Sequence, residues 1–154
     1  MRRQGLIAVI LASALAACAT PSAGPRSLYT RFGGEPVVNA IAADTLDAIS
    51  QAPDGVRAFD RVKLPRAKKH LAEFLCVLMN GPCSYGGDDM VLVHRGLNIT
   101  EREFNALVEI LREVLARHGV AEREKNELLR LLAPMKRGIV TAALISPAMC
   151  GSAV

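Results

Sequence analysis

Apolar positions recur along this chain at helical spacing, and no stretch alternates with period two for long enough to build a sheet. Glu35-Pro36 opens a first long helix, with proline where its missing N–H costs nothing. Val37, Ile41, Leu46 and Ile49 form its stripe, and Pro53-Asp54-Gly55 ends it. A second helix starts at Pro65, carries Ala67, Leu71, Phe74, Leu75 and Leu78, and stops at Asn80-Gly81-Pro82. After a loop with Gly86-Gly87 comes a short apolar piece through Met90, Val93, His94 and Leu97. Thr100-x-x-Glu103 is a capping box. It opens a third long helix with Phe104, Leu107, Val108, Leu111 and Leu115, closed by His118-Gly119. Glu122 and Glu124 begin a last helix carrying Leu128, Leu131, Leu132, Met135 and Ile139. The predicted class is all-α. The segment from Asn80 to Ile99 is too loop-rich to pack as a full helix, which leaves volume beside it for something else.

The start of the chain follows a different pattern. Met1-Arg2-Arg3-Gln4-Gly5 is a cationic leader, and the twelve residues Leu6–Ala17 are apolar. As a helix they span about 18 Å, short of a bilayer core of about 30 Å. Charge, a short apolar run and small residues together read as a secretory signal. Leu15-Ala16-Ala17-Cys18 resembles the bacterial lipobox, which implies diacylation of Cys18; plain secretion or an uncleaved anchor are the alternatives. Ala19 follows in place of an acidic retention residue, so the resemblance implies the periplasmic face of the outer membrane. The expected organisation is a signal peptide over 1–17, a lipidated tether over 18–27, a folded domain over 28–145 and a tail over 146–154.

Composition changes little in this picture. The 154 residues suit one domain, and 51% hydrophobic content excludes disorder. The net charge of +4 comes from 19 basic against 15 acidic residues, and two of the cations are Arg2 and Arg3. The remainder is near balance and makes no nucleic-acid footprint.

Three histidines are candidates for chemistry. His118 precedes the helix-ending Gly119, where an imidazolium complements the helix C-terminus. His94 sits on the short apolar piece and His70 beside the stripe of the second helix, next to Lys68 and Lys69. Taken singly, the first of these two reads as a core histidine and the second as a solvated edge.

Together with their neighbours they read differently. Leu28-Tyr29-x-x-Phe32-Gly33-Gly34, Phe59, His70-x-x-x-Phe74-Leu75, Gly81-Pro82-x-x-Tyr85-x-Gly87, Met90-x-x-x-His94-x-Gly96-Leu97-x-Ile99-Thr100, Phe104, Gly119-Val120 and Ala133-Pro134 resemble the group I truncated haemoglobins, the two-over-two globins. The resemblance runs from Leu28 to Val140. It implies a helical sandwich around haem b, with His94 as the proximal iron ligand and Phe59 packed on the haem face. Ala67, Leu71, Phe74, Leu75, Met90, Ile99, Phe104 and Leu111 would surround the group, with Lys68, Lys69 and Tyr85 near its propionates. No Cys-x-x-Cys-His occurs, so the haem is expected to be non-covalent.

The departures from the family pattern concern the distal side. A tyrosine is common where this chain has Leu46, and a glutamine where it has Leu71. Such groups donate hydrogen bonds to bound O₂, each contributing about 1.5–3 kcal/mol. Losing both weakens oxygen retention by roughly two to four decades, and carbon monoxide and nitric oxide lose less. The resemblance therefore implies a diatomic-gas binder rather than an enzyme, with nitric oxide dioxygenase-like or peroxidase-like side activity left open and a reductase as an unidentified partner. His70 stands where some relatives carry a distal iron ligand, which makes a bis-histidine electron-transfer or redox-sensing protein the alternative. A third reading is a helical lipoprotein without haem, against which His94 and Phe59 both speak. With Cys18 taken by lipid, Cys76, Cys83 and Cys150 remain; Cys83–Cys150 is the favoured pairing, because the globin tail returns towards the proximal loop, and Cys76–Cys83 the alternative.

Overall fold

A computed structural model of the chain describes residues 26–140 other than Asp54. Cys18, Cys150, the leader and the tether up to residue 25 lie outside the described residues. The order is α1 (Leu28–Arg31), α2 (Glu35–Gln51), α3 (Val56–Phe59), α4 (Leu64–Leu78), α5 (Met90–His94), α6 (Glu101–Arg117), α7 (Glu122–Leu132) and α8 (Lys136–Ile139), with a 3₁₀ turn over Ala133–Met135 between the last two. Among the described residues the only β pairing is an isolated parallel bridge between Ile99 and Val140.

Local chemistry explains most boundaries. The Ser27 hydroxyl caps α1 by accepting from the Thr30 N–H. Gly33 and Gly34, at φ 101° and 73°, turn the chain into α2, where Pro36 occupies the first turn. α6 begins with the expected capping box: Thr100 Oγ1 accepts from Glu103 N, and the Glu103 carboxylate accepts from Thr100 N at 2.7 Å. It ends at His118, and Gly119 then turns left-handed at φ 68°.

Two elements differ from the sequence expectation. On α2 the buried positions are Val38, Ile41, Ala42, Thr45 and Ile49, whereas Val37 and Leu46 are half-buried. The buried Thr45 hydroxyl is satisfied by donating to the Ile41 carbonyl at 2.7 Å. The last helix is also interrupted. Pro134 has no N–H to continue the ladder, and the chain passes through the 3₁₀ turn before α8.

The core joins α1, α2, α4, α6 and α7 through Leu28, Ile41, Leu75, Val114, Leu115 and Leu128, all almost fully buried. α2 lies against α4 and α6, α1 against α7, and α5 against α8. Arg31 on α1 pairs with Glu124 and Glu127 of α7. His118 Nε2 meets Asp44 Oδ2 at 2.8 Å, so the histidine expected simply to cap α6 also ties it to α2.

The favoured disulfide is corrected by the structure. Cys83 is bonded to Cys76, with Cα atoms 6.0 Å apart, and is therefore not the partner of Cys150. The chain folds back tightly after α4: Gly81 N donates to the Cys76 carbonyl at 2.8 Å. A Cβ on Gly81 would stand 2.5 Å from Cys76 Sγ and 2.7 Å from the Tyr29 ring, so only glycine permits this return. It brings the two cysteines to ordinary bridging distance.

Candidate haem site

α5 exists because Asp89 caps it, its side chain accepting from Val91 N at 2.8 Å. The cap places Met90 and His94 one turn apart on a short helix. His94 Nδ1 lies 2.7 Å from the Met90 carbonyl oxygen. A carbonyl can only accept, so the proton is on Nδ1 and the lone pair on Nε2. That is the tautomer a metal-binding imidazole requires, oriented by a backbone acceptor. His94 is half-buried, and Val91, Leu92 and Val93 beside it are exposed.

The apolar faces of α4 and α6 are incompletely covered. Ala67, Leu71 and Phe74 on α4, and Phe104, Leu107 and Val108 on α6, are all half-buried, as is Phe59 at the end of α3. A cavity of about 400 Å³ opens at Phe74, bounded also by Tyr85, Asp89, Met90, Val91 and Met135. It reaches α5 at Met90 and Val91, one turn before His94. Half-covered apolar walls, a cavity of ligand size and an imidazole with a free Nε2 fit an apolar planar group carrying a metal.

Other expected site residues stand differently. Leu75 is 2% exposed, and Leu111 and Ile99 each 8%. Their surface is spent on other side chains, so they back the site rather than line it. Lys68 is held by Asp47 of α2 at 2.7 Å, and Lys69 by Glu73 at 3.7 Å. The Tyr85 hydroxyl donates to the Asp88 carbonyl at 2.7 Å. Burial, with Asp88, Asp89 and Glu73 nearby, raises the Tyr85 pKa and keeps it a neutral donor. Its ring meets Phe74 edge-on at 5.5 Å and His70 at 6.3 Å.

His70 is engaged on both nitrogens. Arg66 Nε donates to His70 Nε2 at 3.3 Å, and Nδ1 lies 3.1 Å from Glu73 Oε2. The Glu73 pKa is lowered, first by this hydrogen bond and then by the Gly86 backbone and Lys69.

Residues 27–141 match the Bacterial-like globin family. The chain belongs to that family. The globin is 30% identical over 116 residues to the group 1 truncated hemoglobin GlbN of Nostoc sp. (strain MUN 8820), covering 74% of this chain and 97% of the relative. It is 26% identical over 108 residues to the group 1 truncated hemoglobin of Tetrahymena pyriformis, covering 70% and 89%. The crystal structure of truncated hemoglobin from Tetrahymena pyriformis, in its Fe(III) form, superposes with a TM-score of 0.72 at 23% identity, over 76% of this chain and all of that one. The 2/2 hemoglobin from Synechococcus sp. PCC 7002, in the cyanomet state with covalently attached heme, gives 0.70 at 19% identity, over 75% and 98%. The fold of this globin is thus the truncated two-over-two type.

Sequence reasoning missed Glu73, Arg66 and Asp47, the partners that hold His70 and Lys68. For the first two the signal was present: they stand three and four residues from His70 on one helix, a spacing that brings side chains together.

Proposed function

We propose that this globin binds haem through His94 and takes a diatomic gas in an apolar distal pocket. The observation that carries the reading is the His94 Nδ1–H donated to the Met90 carbonyl, which leaves Nε2 as the ligating atom. Haem, when bound, would supply a ferrous iron able to bind a diatomic gas. The chain's own residues do the rest. Leu71 and Phe74 exclude water from one wall, Phe59 covers the corner, and Leu46, Ala67 and Leu71 offer no hydrogen bond to the gas. Carbon monoxide and nitric oxide are favoured over oxygen accordingly, and the role is binding rather than turnover.

With Arg66 and Glu73 on its two nitrogens, His70 stands at the pocket edge rather than as a second iron ligand. The haem is held non-covalently, as haem b. An electron donor keeps the iron ferrous. The lipobox-like sequence supports attachment of the protein by lipid on Cys18 to the periplasmic face of the outer membrane, in which case the domain acquires haem after export. Absorption spectra of the purified full chain test the haem reading. A Soret band that shifts with carbon monoxide and is lost in His94→Ala is the expected result; a wild-type protein that takes up no haem ends it.

A further inference from the structure

α3 has four residues and no side-chain N-cap, yet it carries Phe59. Arg57, two residues earlier, anchors it across the molecule. Its Nη1 donates to the Leu97 carbonyl at 2.6 Å. Its Nη2 donates to the Asn98 carbonyl at 3.2 Å and to Glu103 Oε1 at 2.6 Å. The first two acceptors belong to the connection from His94 to α6, where Leu97 N in turn donates to the His94 carbonyl at 3.2 Å. That connection turns through Gly96 at φ 78° and Asn98 at φ 50°, which keeps its carbonyls out of any helical ladder and available to the guanidinium. The third acceptor is itself fixed, because the other Glu103 oxygen accepts from the Thr100 N–H and hydroxyl at 2.7 and 2.8 Å.

An isolated exposed ion pair contributes little. Arg57 is itself half exposed, but its one rigid fork meets two carbonyls and a carboxylate that is only 12% exposed. Removing its charge releases three contacts at once, on both sides of the link.

We propose that Arg57 is a positioning residue for the haem site, locking the corner that carries Phe59 to the connection behind His94 and so fixing the gap between the two faces that hold haem. This rests on the haem reading above. Arg57 acts through Leu97, Asn98 and Glu103, none of which is proposed to bind iron.

The test compares the wild-type full chain with Arg57→Gln, Arg57→Lys and Glu103→Gln. Amide hydrogen exchange is read first, before haem is added. Arg57→Gln is expected to speed exchange by at least about tenfold in residues 57–60 and in 96–100 together, a floor set by the loss of just one of its three charge-assisted contacts. Glu103→Gln keeps the capping geometry, and in the double variant it adds little on top of Arg57→Gln, since the one contact it removes is already lost there. In the haem-loaded ferrous protein, Arg57→Gln is expected to shift the iron–histidine stretching frequency and to speed haem transfer to a scavenger globin about tenfold. Arg57→Lys, which keeps the charge and a donor, restores part of each. Exchange that rises in only one segment overturns the proposal, as does faster haem loss with a wild-type iron–histidine frequency. A wild type that takes no haem defeats the functional reading instead, and the exchange pattern still decides whether Arg57 couples the two segments.

Discussion

Glu73 holds the Nδ1 of His70 at 3.1 Å, along the same face of α4. Arginine can only donate, so the Arg66 contact makes Nε2 the acceptor and puts the proton on Nδ1, aimed at the carboxylate. A histidine held this way is a poor candidate for iron. His70→Ala should leave the ferric absorption spectrum of the haem-loaded protein unchanged. Replacing both Arg66 and Glu73 by alanine should free the imidazole and let a low-spin component grow. A low-spin wild-type spectrum that turns high-spin in His70→Ala would contradict both expectations.

The clarity of the sequence tracked the range of the interactions. The capping box at Thr100 is a contact three residues apart and could be read from spacing, whereas His94 stood out only through the resemblance, and its bond to the Met90 carbonyl is seen only in the fold. The Cys76–Cys83 bridge depends on the short return through Gly81, where absence of a side chain lets Cys83 reach Cys76, and no spacing pattern of cysteines reveals that return. The buried face of α2 runs through Val38, Ile41, Ala42, Thr45 and Ile49 rather than Val37 and Leu46, because it meets both α4 and α6 and no apolar pattern along α2 alone shows which neighbours cover it. Arg57 was invisible: its carboxylate partner is 46 residues away, and no local pattern announces such a contact.

The Cys76–Cys83 bridge closes the loop that leads to Tyr85 and α5. With a sequence separation of 7, chain entropy assigns it about 2 kcal/mol. Urea unfolding of the full chain with and without a thiol reductant should differ by that amount, and Cys83→Ser should reproduce the reduced value. Gly81→Ala should be destabilising even with the bridge intact, because its methyl would collide with Cys76 and the Tyr29 ring.

Acid stability should depend on the start of α6. The Thr100 backbone N–H, with Arg57 and the Thr100 hydroxyl, lowers the Glu103 pKa from 4.5 to about 2. A depressed carboxylate stabilises the fold fully above its unfolded pKa, and this contribution drains away as pH falls from about 4.5 towards 2. Thr100→Ala should cost about 1 kcal/mol at neutral pH through loss of the cap. It should also weaken the pH dependence over that acid interval. Both follow from circular dichroism unfolding curves collected between pH 7 and pH 2.

Leu71 offers the most direct control of ligand choice. It stands on the half-buried face of α4, one position after His70 and one turn after Ala67, with no donor of its own. A glutamine of similar length would place an N–H₂ in the distal pocket proposed above. Oxygen gains most from such a donor, because its bound form carries partial negative charge; carbon monoxide gains little. One hydrogen bond of about 1.5–3 kcal/mol corresponds to roughly one to two decades in dissociation rate. Leu71→Gln should therefore slow oxygen release by ten- to a hundredfold while leaving carbon monoxide release nearly unchanged. Stopped-flow displacement on the haem-loaded ferrous protein measures both rates. Equal slowing of the two gases would point to a steric barrier, and no change in either would place residue 71 outside the distal pocket.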